Sequence, residues 1–391
     1  MPTRLTRGAD SGKEDVVTIS IDVTPSARRE QSTGVARGRL LVAALGVFDG
    51  VHVGHQALIT AMRADAAKRR ASAVIITFDR DPDALLRPWM LQKLLSDSER
   101  LTLLRSLADE LVVLTFDRRL AALSWQEFLD SCLLQKASLA SIFVGRNFRF
   151  GAGAAGGIKE LGQWADAHGI EFHVQELSCV GGQPIASSRV RSLVAAGDVE
   201  QAAVLLTRPF AVEGVVVSGQ RRGSALGFPT ANILVDADYA RLADCVYGGF
   251  CQVGDERYKA AIATGRPPTF VSEDAADITT AEGRFPPGKG ESSDKTAVVP
   301  HPGHFSSDGG KTSDAAKEAD AFSTEESRPL NGPPVSPYIL EAHLLDFSGD
   351  LYGRRVRLEL LKRLRPMQRF DSVEELKAAL CANVDWVARH L

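Results

Sequence analysis

The pattern of apolar and polar positions changes once along the chain, at about Thr207. Before that point, continuous apolar runs alternate with segments of helical spacing; the runs cover residues 40–45, 73–78, 111–116 and 141–144. Such runs are typical of parallel strands that are buried on both faces of a sheet by helices. The pattern therefore predicts an α/β domain from residue 39 to residue 206.

A helix is predicted directly after the first apolar run, starting near His55. One face of this helix would be apolar and would contain Leu58, Ile59, Met62 and Ala66. The segment ends in the basic residues 68–70, which suit the negative end of a helix dipole. The loop between the first strand and this helix therefore leads into a helix N-terminus.

After Thr207 the helical periodicity stops and β-branched runs appear between Gly-rich turns, at residues 215–217 and 356–361. This pattern predicts an antiparallel barrel or sandwich. The chain closes with a predicted helix, in which Ser372 and Glu375 form a capping box. Its apolar stripe, expected to lie against the barrel, contains Leu376, Leu380, Val384, Val387 and Leu391.

Two segments have too few apolar residues to belong to either core. Residues 1–38 form a polar tail, in which only the apolar patch at 16–21 suits a short strand. Residues 271–336 are rich in Ser, Asp, Gly, Pro and Lys and have no periodicity, so we predict a disordered insertion. The second domain then spans residues 207–391 and contains this insertion.

Composition narrows the class of protein. The chain has 391 residues, of which 44% are hydrophobic and 24% charged, so it can bury two cores. No apolar run approaches the roughly 20 residues that a membrane helix needs. The formal net charge of −3 argues against nucleic acid as the main partner. Five cysteines without a C-x-x-C pair predict neither disulfides nor a zinc site, and we expect a cytoplasmic protein.

The first candidate site lies at residues 46–55, Gly-Val-Phe-Asp-Gly-Val-His-Val-Gly-His. Glycines and a helix N-terminus allow close approach of phosphates, and His52 and His55 can donate hydrogen bonds to them. This array suits nucleotidyl transfer, although the two histidines could instead be a helix cap and a packed ring. The candidate nucleotide-binding residues are Gly46, Phe48, Asp49, Gly50 and Gly54.

A second candidate phosphate site starts another helix at residues 185–191, Ile-Ala-Ser-Ser-Arg-Val-Arg. Its hydroxyl and guanidinium groups could hold a pyrophosphate leaving group. The residues concerned are Ser187, Ser188, Arg189 and Arg191. Taken alone, the segment could equally be a solvated helix start.

A third candidate site combines residues 227–232, Gly-Phe-Pro-Thr-Ala-Asn, with a strand that begins at Glu341. Alternate strand residues point the same way, so Thr230 and Asn232 could serve one hard cation such as Mg²⁺. Without this context, the first segment could be a turn and Glu341 an exposed strand carboxylate.

The N-terminal motifs resemble those of the nucleotidylyltransferase superfamily, and residues 46–59 with 144–151 resemble its bacterial FAD synthetase branch. The resemblance implies a Rossmann-like fold in which the histidine motif binds the ATP phosphates. It also implies that Arg191 closes over them. FMN phosphate would then attack the α-phosphorus of ATP and expel pyrophosphate.

Residues 214–232 resemble the riboflavin kinase signature, which includes Gly223, Gly227 and Pro229. The resemblance implies a Greek-key β-barrel with a C-terminal helix. It also implies that Thr230 and Asn232 hold Mg-ATP, and that Glu341 takes the proton from the ribityl 5'-hydroxyl. The whole chain from residue 40 onward, apart from the insertion, thus resembles the bifunctional riboflavin kinase/FMN adenylyltransferase family, with ATP, riboflavin and FMN as its small-molecule partners.

Several positions differ from the family pattern. In the N-terminal half, Arg80, Asp81 and Pro82 stand in place of a Pro-His-Pro stretch, and the other differences are Asn147, Gly157 and Ala186. In the C-terminal half, the differences are Ser224, Cys245 and residues 260–267. The N-terminal differences leave the histidine motif whole, and in the family the stretch at 260–267 normally helps to line the nucleotide and flavin pocket.

Three hypotheses about function remain: a bifunctional enzyme, an enzyme with one working half, and a flavin- or nucleotide-binding protein that has lost catalysis. The first is favoured because residues that serve charge chemistry are all present, namely His52, His55, Thr230, Asn232 and Glu341. An adenylyltransferase for another small substrate would leave the kinase-like half without a purpose.

Overall fold

The computed structural model describes the backbone of Thr18 and Ile19 and residues 40–88, 91–133, 138–176, 179–219, 226–236, 238–264 and 338–391. The rest of the predicted tail, the predicted insertion at 271–336, Gly223 and Ser224 lie outside the described residues. Within the described part of the chain, no helix is long and apolar enough to cross a membrane.

The first half forms a six-stranded sheet in the order β1-β4-β3-β2-β5-β6. All neighbouring strands are parallel, which confirms the predicted α/β architecture. The strands are β1 (Thr18–Ile19), β2 (Leu40–Leu45), β3 (Ser72–Phe78), β4 (Glu110–Leu114), β5 (Ser138–Gly145) and β6 (Glu171–Gln175). The helices are α1 (Val53–Arg69), α2 (Asp83–Leu86), α3 (Asp97–Arg105), α4 (Arg118–Ala122), α5 (Trp125–Cys132), α6 (Ile158–Ala167), α7 (Ser187–Ala195) and α8 (Val199–Leu206).

The continuous apolar runs arise because the sheet has a separate core on each face. Val42 and Ala44 of β2 pack in a core with α1, whereas Leu41 and Ala43 pack in a core with α5 and α6. The predicted apolar face of α1 is buried throughout. Strand β4 ends at Leu114, earlier than the predicted run, because the backbone N–H of Phe116 is bonded to the side chain of Asp79 at 2.9 Å.

Between the sheet and α7 lies a short hairpin of β7 (Cys179–Val180) and β8 (Gln183–Pro184). Beyond α8, six antiparallel strands close into a barrel in the order β10-β13-β12-β11-β14-β9. These strands are β9 (Phe210–Val217), β10 (Ala231–Val235), β11 (Cys245–Val253), β12 (Glu256–Thr264), β13 (Tyr338–Leu344) and β14 (Arg355–Pro366). Strand β14 pairs with β11 and β9 and not with β13, the strand before it in the sequence, which makes a Greek-key connection. The second half is therefore a barrel and not a sandwich.

The closing helix α9 (Val373–His390) packs on the outside of β11 and β12, as expected. A Cβ atom at Gly248 would lie 2.7 Å from the Trp386 ring, so only glycine allows the helix to approach this closely. Ser372 accepts from the backbone N–H of Glu375 at 3.1 Å. The reciprocal bond to the Glu375 side chain is donated by the backbone N–H of Asp371, at 3.2 Å, in place of the predicted Ser372 N–H.

Candidate active sites

The phosphate loop, residues 46–52, connects β2 to α1 through an unusual backbone. Phe48 and Val51 have positive φ angles of 58° and 40°, and Gly50 has a φ angle of 77°. Non-glycine residues in this region each cost on the order of 1–3 kcal/mol, and they persist where the surroundings hold them. Such strain concentrates at functional sites, and here it shapes the turn that precedes the α1 N-terminus.

His52 and His55 are stacked at this helix N-terminus, with ring centroids 3.7 Å apart. His52 is the N-cap of α1, so the helix begins earlier than predicted, and its Nδ1 accepts from the His55 backbone N–H at 3.4 Å. Burial lowers the pKa of His52 to about 4 and that of His55 well below its ordinary value. Both rings are therefore neutral at pH 7 and can offer N–H groups to an anion.

Both structural roles considered for the histidines are present: His52 caps α1, and the His55 ring is packed against it. These roles nevertheless leave one polar atom without a partner. Within the described residues, His55 Nδ1 is buried without a hydrogen-bond partner. A buried polar atom without a partner costs free energy, and at a functional site a ligand can supply the missing partner. This orphaned atom supports a ligand role for the histidine pair in addition to its structural role.

Asp49 joins the phosphate loop to the second motif. Its Oδ2 accepts from Arg191 Nη2 at 2.7 Å, and its backbone carbonyl accepts from Ser187 Oγ at 3.0 Å. Burial raises the pKa of Asp49 to about 6, although the Arg191 guanidinium acts in the opposite direction. The two predicted phosphate motifs, 142 residues apart at this ion pair, therefore form one site.

The other predicted residues of the second motif take different positions. Arg189 Nη1 donates to three backbone carbonyls of the β7–β8 hairpin, those of Val180, Gln183 and Pro184, at 2.9–3.3 Å. The backbone carbonyl of Ser188 accepts from Ser192 Oγ at 3.1 Å. Ala186, where the family pattern has serine, is the N-cap of α7 and provides no side-chain cap. The first N–H groups of α7 are therefore not capped by that side chain.

Three side chains that the sequence analysis missed hold the back of the phosphate loop. Arg208 Nη2 donates to the Gly50 carbonyl at 2.5 Å, and Gln56 Nε2 donates to the Val51 carbonyl at 3.0 Å. Arg100, which is 2% exposed, donates to the Val47 carbonyl at 3.1 Å. Burial lowers the pKa of Arg208 to about 10. The sequence carries no signal for these contacts, because isolated Arg and Gln residues are mostly exposed in folded proteins.

The position of the missing Pro-His-Pro stretch holds a partly buried carboxylate. Asp81 Oδ1 accepts from the backbone N–H of Asp83 at 2.9 Å. Burial raises the pKa of Asp81, and its negative charge adds to the rise in the pKa of Asp49. This edge of the phosphate loop therefore carries acidic groups.

The kinase-like residues meet on the outer surface of the barrel. Asn232 on β10 lies directly opposite Glu341 on β13, and Glu341 lies opposite Ala263 on β12. Leu340 and Ala342 are buried inside the barrel, so the alternation of β13 places Glu341 on the outer face. A Cβ atom at Gly219 would lie 2.0 Å from Asn232 Nδ2, which explains the glycine there.

The Gly-Phe-Pro-Thr segment is anchored next to this pair by a residue that the sequence analysis missed. His343 Nδ1–H donates to the Pro229 carbonyl at 2.8 Å, and its ring meets the edge of Phe228 at 5.6 Å. Gly227 has a φ of 88°, which favours glycine. His343 is two residues after Glu341 and so shares its face of β13. That spacing is the signal that could have identified it.

The donors near Glu341 suit a hard cation. The side chains of Thr230, Asn232 and Glu341 offer hydroxyl, amide and carboxylate oxygens, the ligand types that Mg²⁺ prefers. Across the described ranges there is no cluster of three or more His, Cys, Asp or Glu residues able to hold a metal ion. These residues therefore fit a cation that is coordinated partly by nucleotide phosphates, and they fit less well a cation coordinated by protein side chains alone.

Two of the sequence differences lie on neighbouring strands of the barrel, β11 and β12. Cys245 is buried in β11, and its backbone N–H donates to Thr264 Oγ1 at 2.8 Å. Ala260 is buried inside the barrel, whereas the partly buried Ala263 lies next to Glu341 on the outer face.

Each half of the chain matches the model of a known protein family. The FAD synthetase family model matches residues 36–189, and the riboflavin kinase family model matches residues 206–282 and 317–391. A crystal structure described as a macrolide-efflux protein from Streptococcus pneumoniae aligns with a TM-score of 0.67, 23% identity, and coverage of 96% of this chain and all of that one. That likeness shows the fold alone.

Relatives with matching names cover most of this chain. The bifunctional riboflavin kinase/FMN adenylyltransferase of Escherichia coli strain K12 is 30% identical over 344 residues, which are 87% of this chain and 89% of the relative. Proteins of the same name from Pseudomonas fluorescens and Bacillus subtilis are 29% and 26% identical; they align over 88% and 86% of this chain and over 90% and 87% of their own lengths. The chain therefore belongs to the bifunctional riboflavin kinase/FMN adenylyltransferase family.

Proposed function

We propose that the chain phosphorylates riboflavin to FMN and adenylylates FMN to FAD, using ATP for both reactions. Residues 39–206 would carry the adenylyltransferase and residues 207–391 the kinase. The observation that carries this proposal is that motifs distant in sequence meet in each half. The Asp49–Arg191 pair joins the first two motifs, and the Asn232–Glu341 pair joins the other two.

In the adenylylation, the triphosphate of ATP lies on the phosphate loop and the α1 N-terminus. His52 and His55 donate N–H groups to it, while Arg191 neutralises charge and the α7 N-terminus holds the departing pyrophosphate through Ser187 and Ser188. A phosphate oxygen of FMN attacks the α-phosphorus, and the bond between the α- and β-phosphates breaks. The protein contributes position and charge in this reaction, which is the usual requirement for transfer of phosphorus groups.

In the kinase reaction, Glu341 accepts the proton of the riboflavin 5'-hydroxyl as that oxygen attacks the γ-phosphorus, and ADP departs. Thr230 and Asn232 would hold a divalent metal together with the ATP phosphates, and we propose Mg²⁺ for this role. The metal would neutralise charge that develops on the phosphate oxygens. Asn232 lies opposite Glu341, so the base and the metal ligands belong to one face.

A time course with purified protein, riboflavin and Mg-ATP tests the assignment, with FMN and FAD separated by chromatography. We expect FMN to appear first and FAD afterwards. FMN without FAD would favour a one-activity enzyme. Tight flavin or ATP binding without any product would favour a binding protein that has lost catalysis.

Removal of the divalent metal is expected to slow both reactions, because each transfers a phosphorus group whose charge a metal helps to neutralise. Excess chelator should lower each rate at least about tenfold, and added Mg²⁺ should restore it. The control is chelator already saturated with Mg²⁺. Undiminished turnover with free chelator would contradict the metal assignment.

The adenylylation rate is expected to fall as the pH drops through 6. Burial raises the pKa of Asp49 to about 6, so the carboxylate that holds Arg191 is present above this pH and lost below it. Because the pKa of His52 is lowered to about 4, that ring stays neutral in this window. We expect about a fourfold fall in FAD formation from about pH 7 to about pH 5.5, measured with supplied FMN. If FAD formation by Asp49→Asn falls by the same factor over this pH range, the loss of activity at low pH belongs to another group.

The cytoplasmic location and the absence of a nucleic-acid partner, both inferred from composition, stay predictions.

A further inference from the structure

A bridging segment, residues 92–94, contacts both parts of the adenylylation site. The carbonyl of Gln92 accepts from Arg191 Nε at 2.7 Å, and the backbone N–H of Leu94 donates to Asp49 Oδ1 at 3.1 Å. Each member of the Asp49–Arg191 pair is therefore bonded to the same three-residue segment. The position of that segment determines where the arginine points.

The opposite side of the bridging segment is bonded to the barrel half of the chain. The Lys93 backbone N–H donates to the Asp238 carbonyl at 2.7 Å, and the Lys93 carbonyl accepts from the Ala240 N–H at 2.9 Å. These bonds form a parallel β-bridge centred on Lys93 and Tyr239. The segment thus connects the loop between β10 and β11 to the phosphate loop.

The Lys93 side chain holds this connection by charge. Its Nζ lies 2.7 Å from Asp238 Oδ2 and 2.7 Å from Asp97 Oδ2, and the side chain is only 12% exposed. Removing one partner from a largely buried ion pair destabilises a protein more than removing one from a surface pair, because the remaining charge loses its partner. Removing the ammonium would leave the carboxylates of Asp97 and Asp238 facing each other, and their repulsion would drive the start of α3, just after the segment, away from the barrel loop.

We propose that Lys93 is a positioning residue for FMN adenylylation, because it clamps the bridging segment to Asp238 of the barrel and so keeps Asp49 and Arg191 in register with the ATP phosphates. Lys93 itself has no contact with the reacting atoms in this account. This inference rests on the proposed function. It makes the barrel part of the support for the adenylylation site.

The test compares Lys93→Met with Lys362→Met in full-length protein, measuring FAD formation from FMN and FMN formation from riboflavin. Lys362 is a matched control because its Nζ pairs with Glu200 of α8 at 2.8 Å, joining the same two halves away from the bridging segment. We expect Lys93→Met to lower kcat/KM for FAD formation about tenfold. FMN formation, and both activities of Lys362→Met, should stay within about twofold of wild type.

Two further variants separate positioning from general damage. Lys93→Arg keeps the charge and should restore FAD formation to within about threefold of wild type. When Arg191 is already replaced by Met, adding Lys93→Met should lower kcat/KM for FAD formation by less than about a further twofold, because Lys93 acts through Arg191. A full additional tenfold loss there would overturn the inference, and so would an equal loss from Lys362→Met.

If Lys93→Met does not fold, Asp238→Asn provides the same test with a smaller change, because it removes one ion pair and keeps the backbone bridge. It should lower FAD formation about threefold and spare FMN formation, and full activity of this variant would refute the role of the clamp. Failure of the proposed function would look different, since the wild-type chain would then form no FAD at all.

Discussion

Replacing Glu341 with Gln is expected to lower kcat for FMN formation about 100-fold or more, while the affinity for riboflavin changes little. Glutamine keeps the size of the side chain and some of its hydrogen bonding, but it cannot accept the 5'-hydroxyl proton. Glu341 lies opposite Asn232, a proposed metal ligand, on the outer face of the barrel. The loss of its carboxylate should therefore slow the chemical step. The measurement is steady-state kinetics of FMN formation together with direct riboflavin binding.

Glu256→Gln is the matched control, because Glu256 is an exposed carboxylate on another strand of the same barrel. It should leave both activities unchanged, and FAD formation from supplied FMN should be untouched in Glu341→Gln. Weaker riboflavin binding with a near-normal kcat would make Glu341 a substrate anchor. No effect on either quantity would return it to an exposed strand carboxylate.

Replacing His52 with Ala is expected to lower FAD formation from FMN about 100-fold and to spare FMN formation. The reason is the loss of a neutral N–H donor to the ATP phosphates, at a site that takes no part in the kinase reaction. The same change also removes the α1 N-cap, which costs about 1 kcal/mol of stability. Both activities and the melting temperature should therefore be measured on the same preparation.

His52→Asn separates the two effects, because asparagine is a good N-cap but does not extend as far as an imidazole. It should recover most of the stability and little of the FAD formation. His168→Ala is the matched control, since it removes a histidine at the end of α6, in the same half of the chain. Near-normal FAD formation in both His52 variants would leave His52 with only its capping role. Loss of both activities in a folded His52→Ala would refute the assignment of one reaction to each half of the chain.

Local patterns in the sequence determined most of the fold. The continuous apolar runs predicted buried parallel strands, because a strand covered on both faces needs apolar residues at every position. The buried face of α1 was predicted residue by residue, since positions three and four apart lie on the same face of a helix. Candidate sites could also be predicted from the sequence, because each phosphate motif is a short contiguous run whose glycines, hydroxyls and charges carry the signal.

Strand spacing alone left the second half open between a barrel and a sandwich. The tertiary structure decided this point, because closure depends on the pairing of β10 with β13 and of β14 with both β9 and β11. These pairs form between strands whose order in the sheet differs from their order in the sequence. A period of two residues along one strand contains no information about its neighbours.

The sequence by itself predicted which residues carry the chemistry, and the tertiary structure decided which of them lie together and what they contact. Asp49 and Arg191 were both predicted at the nucleotide, but their ion pair and the link through Lys93 to the barrel emerged only from the folded chain. Arg189, predicted beside Arg191, instead bonds to the β7–β8 hairpin. The physical reason is that a bond between distant side chains depends on the path of the whole backbone, and it leaves no periodic pattern in the sequence.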